Sequence, residues 1–385
     1  MSMPRGPMTD VVVDRRAVLR FRFRRQQLDA EDGSFPDGTA ITVLDFGVQD
    51  TGRDGAAWAL VLRGARTSVL DDLVFAWTLR GAPHAYRRPQ VSAVAVATAP
   101  FSESDAAKRI FDAAKSLKAA GIPALEALRT VAGHLRDIVD QPTAKGDAST
   151  RLSGLVDAPY LRFCRACNAT HVYENTFRLA ALQAGLELEP GSSPPVLRRI
   201  PGVSPAMYRH LGGEADARFH VIRNYLRFYG PARMRDAAEF LDAPAKTIQE
   251  HWPHDVAVVR LADEPSSPRS EPRFVLAEDL AQLTATSGGP DPQLRLLGPY
   301  DPCLQLRDRD VLVPDATQRK ALWPVLGRPG AIVADGEVIG LWRPRASGSR
   351  LRVAIEPWQK MPARQLRRVE EQAERLAHHR GLTLA

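Results

Sequence analysis

LRFYGPARMRDAAEFLDAPAKTIQEHW, residues 226–252, decides the fold. Met234, Ala237, Ala238 and Leu241 recur at helical spacing, so one helix buries that face. Asp242-Ala243 breaks the pattern. Pro244 suits the first turn of a second helix, where its missing amide donor would have gone unpaired anyway. Ile248 and Trp252, four apart, anchor that helix, and Lys246, Thr247 and Gln249 are expected to face outward, where a DNA major groove would lie. An ordinary αα-hairpin is the plain alternative, and Glu250 on the exposed side speaks for it.

Working outward, VAVVRLA and RFVLAEDL (256–280) read as two strands of a wing separated by EPSSPRSEP. The proline-rich stretch EPGSSPPVLRRIPGVSP (189–205) is the best linker candidate. Upstream, ITVLDFGV (41–48) reads as a buried strand or a helix end, GRDGAAWALVLRGA as a helix capped by Thr51 or Asp54, and DDLVFAWTLRG (71–81) as a second apolar helix. PQVSAVAVA (89–97) then reads as a wing strand. Residues 102–140 are helical: Ser102 with Asp105 makes a capping box, Gly121 stops the first helix and Pro123 opens the second. A further helix is expected at 176–184. GAIVADGEVIGLW carries a type I′ hairpin signal at Asp335-Gly336, and residues 362–379 form a basic amphipathic helix. These segments set expected domains of 1–100, 101–200, 201–290 and 291–385.

The chain has 385 residues, 44% hydrophobic and 25% charged, with a formal charge of +7. That length suits several globular domains. No apolar run reaches membrane-spanning length, and the N-terminus carries no secretory pattern. Three cysteines make no disulfide framework, which fits a reduced cytoplasm. The positive charge favours a polyanion. Only seven of the 52 basic residues are lysine, so clustering says more than arginine abundance. Arg15, Arg16, Arg20, Arg22, Arg24 and Arg25 fall within eleven residues; Arg80, Arg87 and Arg88 flank a loop; Arg307 and Arg309 crowd another.

The chain lacks the Gly-x-Ser-x-Gly, Walker A, Gly-x-Gly-x-x-Gly and His-Glu-x-x-His signatures. Cys164-Arg-Ala-Cys167-Asn-Ala-Thr-His171 would supply three ligands of a structural zinc site. It offers no evident fourth, and small buried cysteines explain the pair as well. GVQDTGRDG places Gln49, Asp50 and Thr51 between an apolar segment and a helix, where they either form a site or simply cap that helix. LRGAPHAYRR sets Arg80, His84, Arg87 and Arg88 around a turn, to grip phosphates or line a pocket.

The order GVQDT, WALVLRGA, LRGAPHAYRR, GPARMRDAAEFL, GPYDPCLQLRDRDVLVP and IVADGEVIGLW resembles bacterial winged-helix DNA glycosylases of the YcaQ/AlkZ type, over roughly residues 15–380. The resemblance implies an α+β, mainly helical fold of tandem winged-helix domains with a C-terminal β-rich domain, arranged as a C-shaped basic cleft. It implies removal of N7-alkylated purines from duplex DNA, including crosslinked ones, by a nucleoid-associated monomer that requires no cofactor. The family motif is Gln, one residue, then Gln or Asp. Gln49 matches the first position. Thr51 stands at the second, and the acid, Asp50, comes one residue early. Arg80, His84, Arg87, Arg88, Lys246, Thr247, Gln249, Arg307 and Arg309 are the expected DNA contacts. The competing expectation is a non-catalytic winged-helix DNA-binding protein, either a regulator or a damage-recognition factor.

Overall fold

A computed structural model describes residues 11–166, 168–204, 211, 213–264, 271–285 and 293–385. The helix-turn-helix forms as its spacing requires. The helix Met234–Leu241 begins at Arg233, whose amide donates to Asp236 Oδ2 at 2.9 Å. It ends at Asp242, left-handed with φ +52°. A short helix Ala245–Glu250 follows. Ala237, Ala238, Leu241, Ile248 and Trp252 are all buried. The flanking strands Val256–Leu261 and Arg273–Leu276 pair antiparallel, as expected for a wing; most of the intervening stretch, 265–270, lies outside the described residues. The N-terminal strand Val11–Val13 adds a third, parallel partner.

The arginine-rich run is a helix, Arg15–Arg25, and much of its charge is turned inward or paired. Arg22 is buried and donates to Asp308 at 2.7 Å and to the carbonyl of Pro231 at 3.1 Å. Arg20 pairs with Asp335 and Arg25 with Asp279. This cluster is largely an internal brace and not the solvated face that such a run of arginines ordinarily forms.

A six-stranded sheet runs in the order Val48–Gln49, Pro83–Arg87, Leu73–Trp77, Leu186–Leu188, Val196–Arg199, Thr143–Ala144. It draws strands from both sides of residue 100. Residues 71–81, expected as a helix, contain the strand Leu73–Trp77 with every residue buried. A strand covered on both faces shows no alternation, so periodicity cannot separate it from a helix. Residues 89–97, expected as a strand, instead hold the helix Val91–Thr98, which buries Val91, Val94, Ala95 and Ala97. Val196–Arg199 makes the expected linker part of this sheet, with Leu197 fully buried. The 102–121 segment starts on the Ser102 cap as expected but breaks at Ile110 into two helices, Glu103–Arg109 and Phe111–Ala119. The helices Ala124–Ile138 and Glu174–Gln183 fall close to expectation.

The C-terminal sheet orders Leu294–Leu297, Gly330–Ala334, Glu337–Ser347, Arg350–Pro357 and Thr383–Leu384. Asp335 (φ +49°) and Gly336 (φ +88°) make the primed turn that the sequence signalled. A Cβ on Gly336 would lie 2.4 Å from the Leu19 carbonyl oxygen, so the hairpin docks on the N-terminal helix only with glycine there. The terminal helix Ala363–His379 packs over this sheet. Arg63 and Asp301, both fully buried, form a bidentate pair at 2.8 Å that ties the N-terminal half to the C-terminal sheet. Among the described residues no helix is long and apolar enough to cross a membrane.

Candidate functional site

Val48–Gln49 forms only a two-residue strand, and it pairs antiparallel with His84 and Ala85. Directly opposed residues of such a pair project from the same face, so Gln49 and His84 stand side by side. Gln49 Nε2 donates to Thr51 Oγ1 at 3.0 Å, while its Oε1 is buried without a hydrogen-bond partner among the described residues. A buried carbonyl oxygen left unsatisfied carries a free-energy cost of about 1–3 kcal/mol, which a bound water would relieve.

Asp50 is half-buried. Its amide donates to the Pro83 carbonyl at 2.8 Å, and its Oδ1 accepts from the Ala56 amide at 2.9 Å, at the start of the helix Gly55–Val61. Burial raises its carboxyl above the ordinary aspartate range, opposed by that amide. A Cβ at Gly55 (φ +33°) would meet Asp50 Oδ1 at 2.0 Å, so glycine permits the close packing. Asp54 closes the far end of the loop with an ion pair to Arg380. Loop 50–55 is therefore held at both ends, and Asp50 both supports it and carries a partly desolvated charge.

His84 is buried, with Nδ1 2.9 Å from the Ala82 carbonyl and 3.1 Å from Thr78 Oγ1, which also contacts Tyr86 at 2.8 Å. Burial, with Arg80 nearby, lowers its pKa to about 3. The ring is neutral at physiological pH, donates from Nδ1 to the Ala82 carbonyl and keeps Nε2 as an acceptor. It belongs to the interior of this site instead of gripping phosphates from outside.

The other expected contacts divide by burial. Arg80 adopts a left-handed backbone (φ +57°), donates to the Phe240 carbonyl at 2.9 Å and lies over the Phe240 ring. It joins the turn after Trp77 to the helix-turn-helix; burial first, and Arg307 second, lower its pKa to about 10. Arg87 is buried against Asp45 at 2.5 Å and the carbonyls of Gly38 and Ile41. Its donors are consumed internally, which corrects its expected place on the DNA face. Arg88 clasps Glu187 bidentately at 2.9 and 3.1 Å. Thr247 is buried, against expectation, because the six-residue helix turns it inward beside Ile248. Lys246 and Gln249 are exposed, and Lys246 approaches Glu250 at 3.8 Å.

Arg307 and Arg309 have no carboxylate partner among the described residues. Together with Lys320 and Trp323 they line one recess, in which Arg309 lies 4.8 Å from the Trp323 ring centre. Burial, then Arg307 and Arg328, lower the Arg309 pKa to about 10. A second cavity, of about 320 Å³, opens between Thr51–Gly55 and the C-terminal sheet. Arg53, Arg328, Arg343 and Arg345 line it, along with Asp54 and Asp301, both already paired with arginines. Such an excess of unneutralised guanidinium suits a polyanion. Arg328, Arg343 and Tyr300 escaped the sequence reading because nothing local distinguishes them; only the fold brings them opposite Thr51.

Cys164 and His171 sit on a hairpin, Leu161–Cys164 against Ala169–Val172. Cys167 lies outside the described residues. Among the described residues no group of three His, Cys, Asp or Glu side chains is gathered to hold a metal ion.

A family model described as DNA glycosylase AlkZ-like matches residues 49–379, so the match begins at Gln49. The solved structure of the Streptomyces sahachiroi DNA glycosylase AlkZ is similar with a TM-score of 0.69. The alignment covers 97% of this chain and 100% of that one, at 18% identity. No curated protein sequence matches.

Proposed function

The chain belongs to the AlkZ-like DNA glycosylase family, and from that premise we propose that it hydrolyses the N-glycosidic bond of alkylated or otherwise modified bases in duplex DNA. The observation that carries this reading is the buried, unpartnered Oε1 of Gln49, whose amide is held in one orientation by Thr51. Gln49 Oε1 accepts a hydrogen from the attacking water and Thr51 fixes the rotamer. The motif's second residue thus acts by orienting the first.

As the bond from C1′ to the base nitrogen breaks, the electron pair leaves with the base and the sugar becomes oxocarbenium-like. An N7-alkyl purine is already cationic, departs neutral and needs little acid assistance. The water oxygen bonds to C1′, and its proton passes to Asp50 or solvent. The half-buried Asp50 carboxylate meanwhile stabilises the developing positive charge, more strongly than an exposed acid would. Organic cofactor and metal have no necessary part in these steps. In this reading the chemistry is monofunctional, with water and not an amine as nucleophile. The reading extends to bulky adducts and to unhooking crosslinks. Arg307, Arg309 and Arg328 hold the phosphates, and the enzyme acts as a monomer on cytoplasmic DNA.

Incubation with duplex DNA carrying N7-methylguanine tests the reading. Free N7-methylguanine and an abasic strand that breaks only after alkali are expected. Strand breakage without alkali contradicts the monofunctional mechanism. Tight binding without release of N7-methylguanine or bulkier N7 adducts would turn the reading towards a damage-recognition protein.

A further inference from the structure

Val325 and Leu326 are 99% and 86% exposed. Single exposed apolar residues are ordinary, but these two are adjacent at the tip of one loop, Trp323–Gly330, whose base is fixed. Trp323 Nε1 donates to the Leu304 carbonyl at 3.1 Å, and Arg343 Nη1 donates to the Gly327 carbonyl at 2.7 Å. Arg328 lies 4.9 Å from the Tyr300 ring centre. A Cβ on Gly330 would come within 2.2 Å of Trp342 Nε1, so the chain re-enters the sheet there by close approach. The loop is thus mounted rigidly at its foot and bare at its tip.

Its surroundings identify what it meets. On one side lie Arg307, Arg309, Arg319 and Lys320 around Trp323, in excess over the single carboxylate of Asp310; on the other, Arg328 lines the cavity that also contains Thr51. An apolar point between two cationic walls is complementary to a duplex, where phosphates flank a stacked, dry interior. Proteins that kink DNA insert leucine-like side chains between base steps in this way.

We propose that Val325 and Leu326 form a wedge that enters the duplex beside the modified nucleotide and unstacks the neighbouring step, so that the sugar reaches Gln49 and Thr51. The inference rests on the glycosylase reading for its substrate and on the loop's geometry for its mechanism. Because both side chains are exposed, Val325→Ser with Leu326→Ser leaves the fold intact.

The test uses duplex DNA with 2-aminopurine next to N7-methylguanine, and the same lesion in a single strand. Wild type is expected to raise the 2-aminopurine fluorescence on binding, and the double variant to lose roughly fivefold or more of that rise. The variant should keep the salt dependence of binding, release base more slowly from duplex and match wild type on the single strand. Undiminished fluorescence in the variant, or none with bound wild type, overturns the wedge; a tip that serves a lipid or protein contact gives this result. Unstacking without base release by wild type upholds the wedge and refutes the glycosylase chemistry. Base release with equal rates in both proteins does the reverse.

Discussion

At the scale of single residues, the proposed reactive apparatus is the Gln49 amide, with one hydrogen bond made and its buried Oε1 left without a partner among the described residues. Thr51→Val removes the acceptor for Gln49 Nε2 and should slow base release about 10-fold or more, while DNA affinity stays unchanged, because it frees the amide to rotate. Thr51→Ser should retain most of the rate. Equal rates for the valine and serine variants would remove Thr51 from the mechanism. Asp50 gives the reaction an acid limb: its carboxyl is raised by burial, so the rate should fall on acidification at a pH above the ordinary aspartate value. Asp50→Asn should flatten that limb, and a wild-type profile already flat there would contradict the role. His84 is read through stability. Unfolded, its ring takes a proton near 6.5, but folded it does so only at about 3. Unfolding therefore binds a proton between those values, so the stability is fully present above 6.5 and drains away as pH falls towards 3. His84→Gln should lose less Tm than wild type between about pH 7 and about pH 4.5, and equal losses would show that His84 is not held neutral.

At the scale of elements, buried ion pairs decide how the strands and helices meet. Asp301→Ala strands the Arg63 guanidinium in a dry interior and should cost about 3–5 kcal/mol of stability, measured by denaturant unfolding. A loss below about 1 kcal/mol would mean that water reaches the pair. These pairs also explain what could and could not be seen from sequence. The helix-turn-helix and the Asp335-Gly336 hairpin were legible because each is specified locally, by spacing and by turn chemistry. The strand Leu73–Trp77 read as a helix because it is buried on both faces and shows no alternation, and the helix Val91–Thr98 read as a strand because Ala93 and Val96 on its less buried side leave no polar stripe to mark the helical period. Arg22, Arg87 and Arg88 read as a basic surface because sequence shows charge without its partner; Asp308, Asp45 and Glu187 lie between 42 and 286 residues away. Gln49, Asp50 and Thr51 stand out as candidates by motif, but the hydrogen bond by which Thr51 holds Gln49 emerges only from the folded loop.

At the scale of the whole molecule, buried arginines brace the fold in ion pairs that cancel their charge, and the excess of +7 is left to basic groups such as those that face the cavities. Arg309→Ala and Arg328→Ala should each lower the salt slope of DNA binding by about one counterion. Arg87→Ala should leave that slope unchanged and destabilise the protein instead. An altered slope for Arg87, with none for Arg309 or Arg328, would place the DNA elsewhere on the molecule. The central claim, however, is that this frame exists to present Gln49 to a modified nucleotide. Its most direct test is single-turnover release of N7-methylguanine from duplex DNA by wild type and by Gln49→Ala, with duplex affinity measured in parallel. A loss of about 100-fold or more in rate at matched affinity is the predicted result. Release by Gln49→Ala at the wild-type rate would contradict the account.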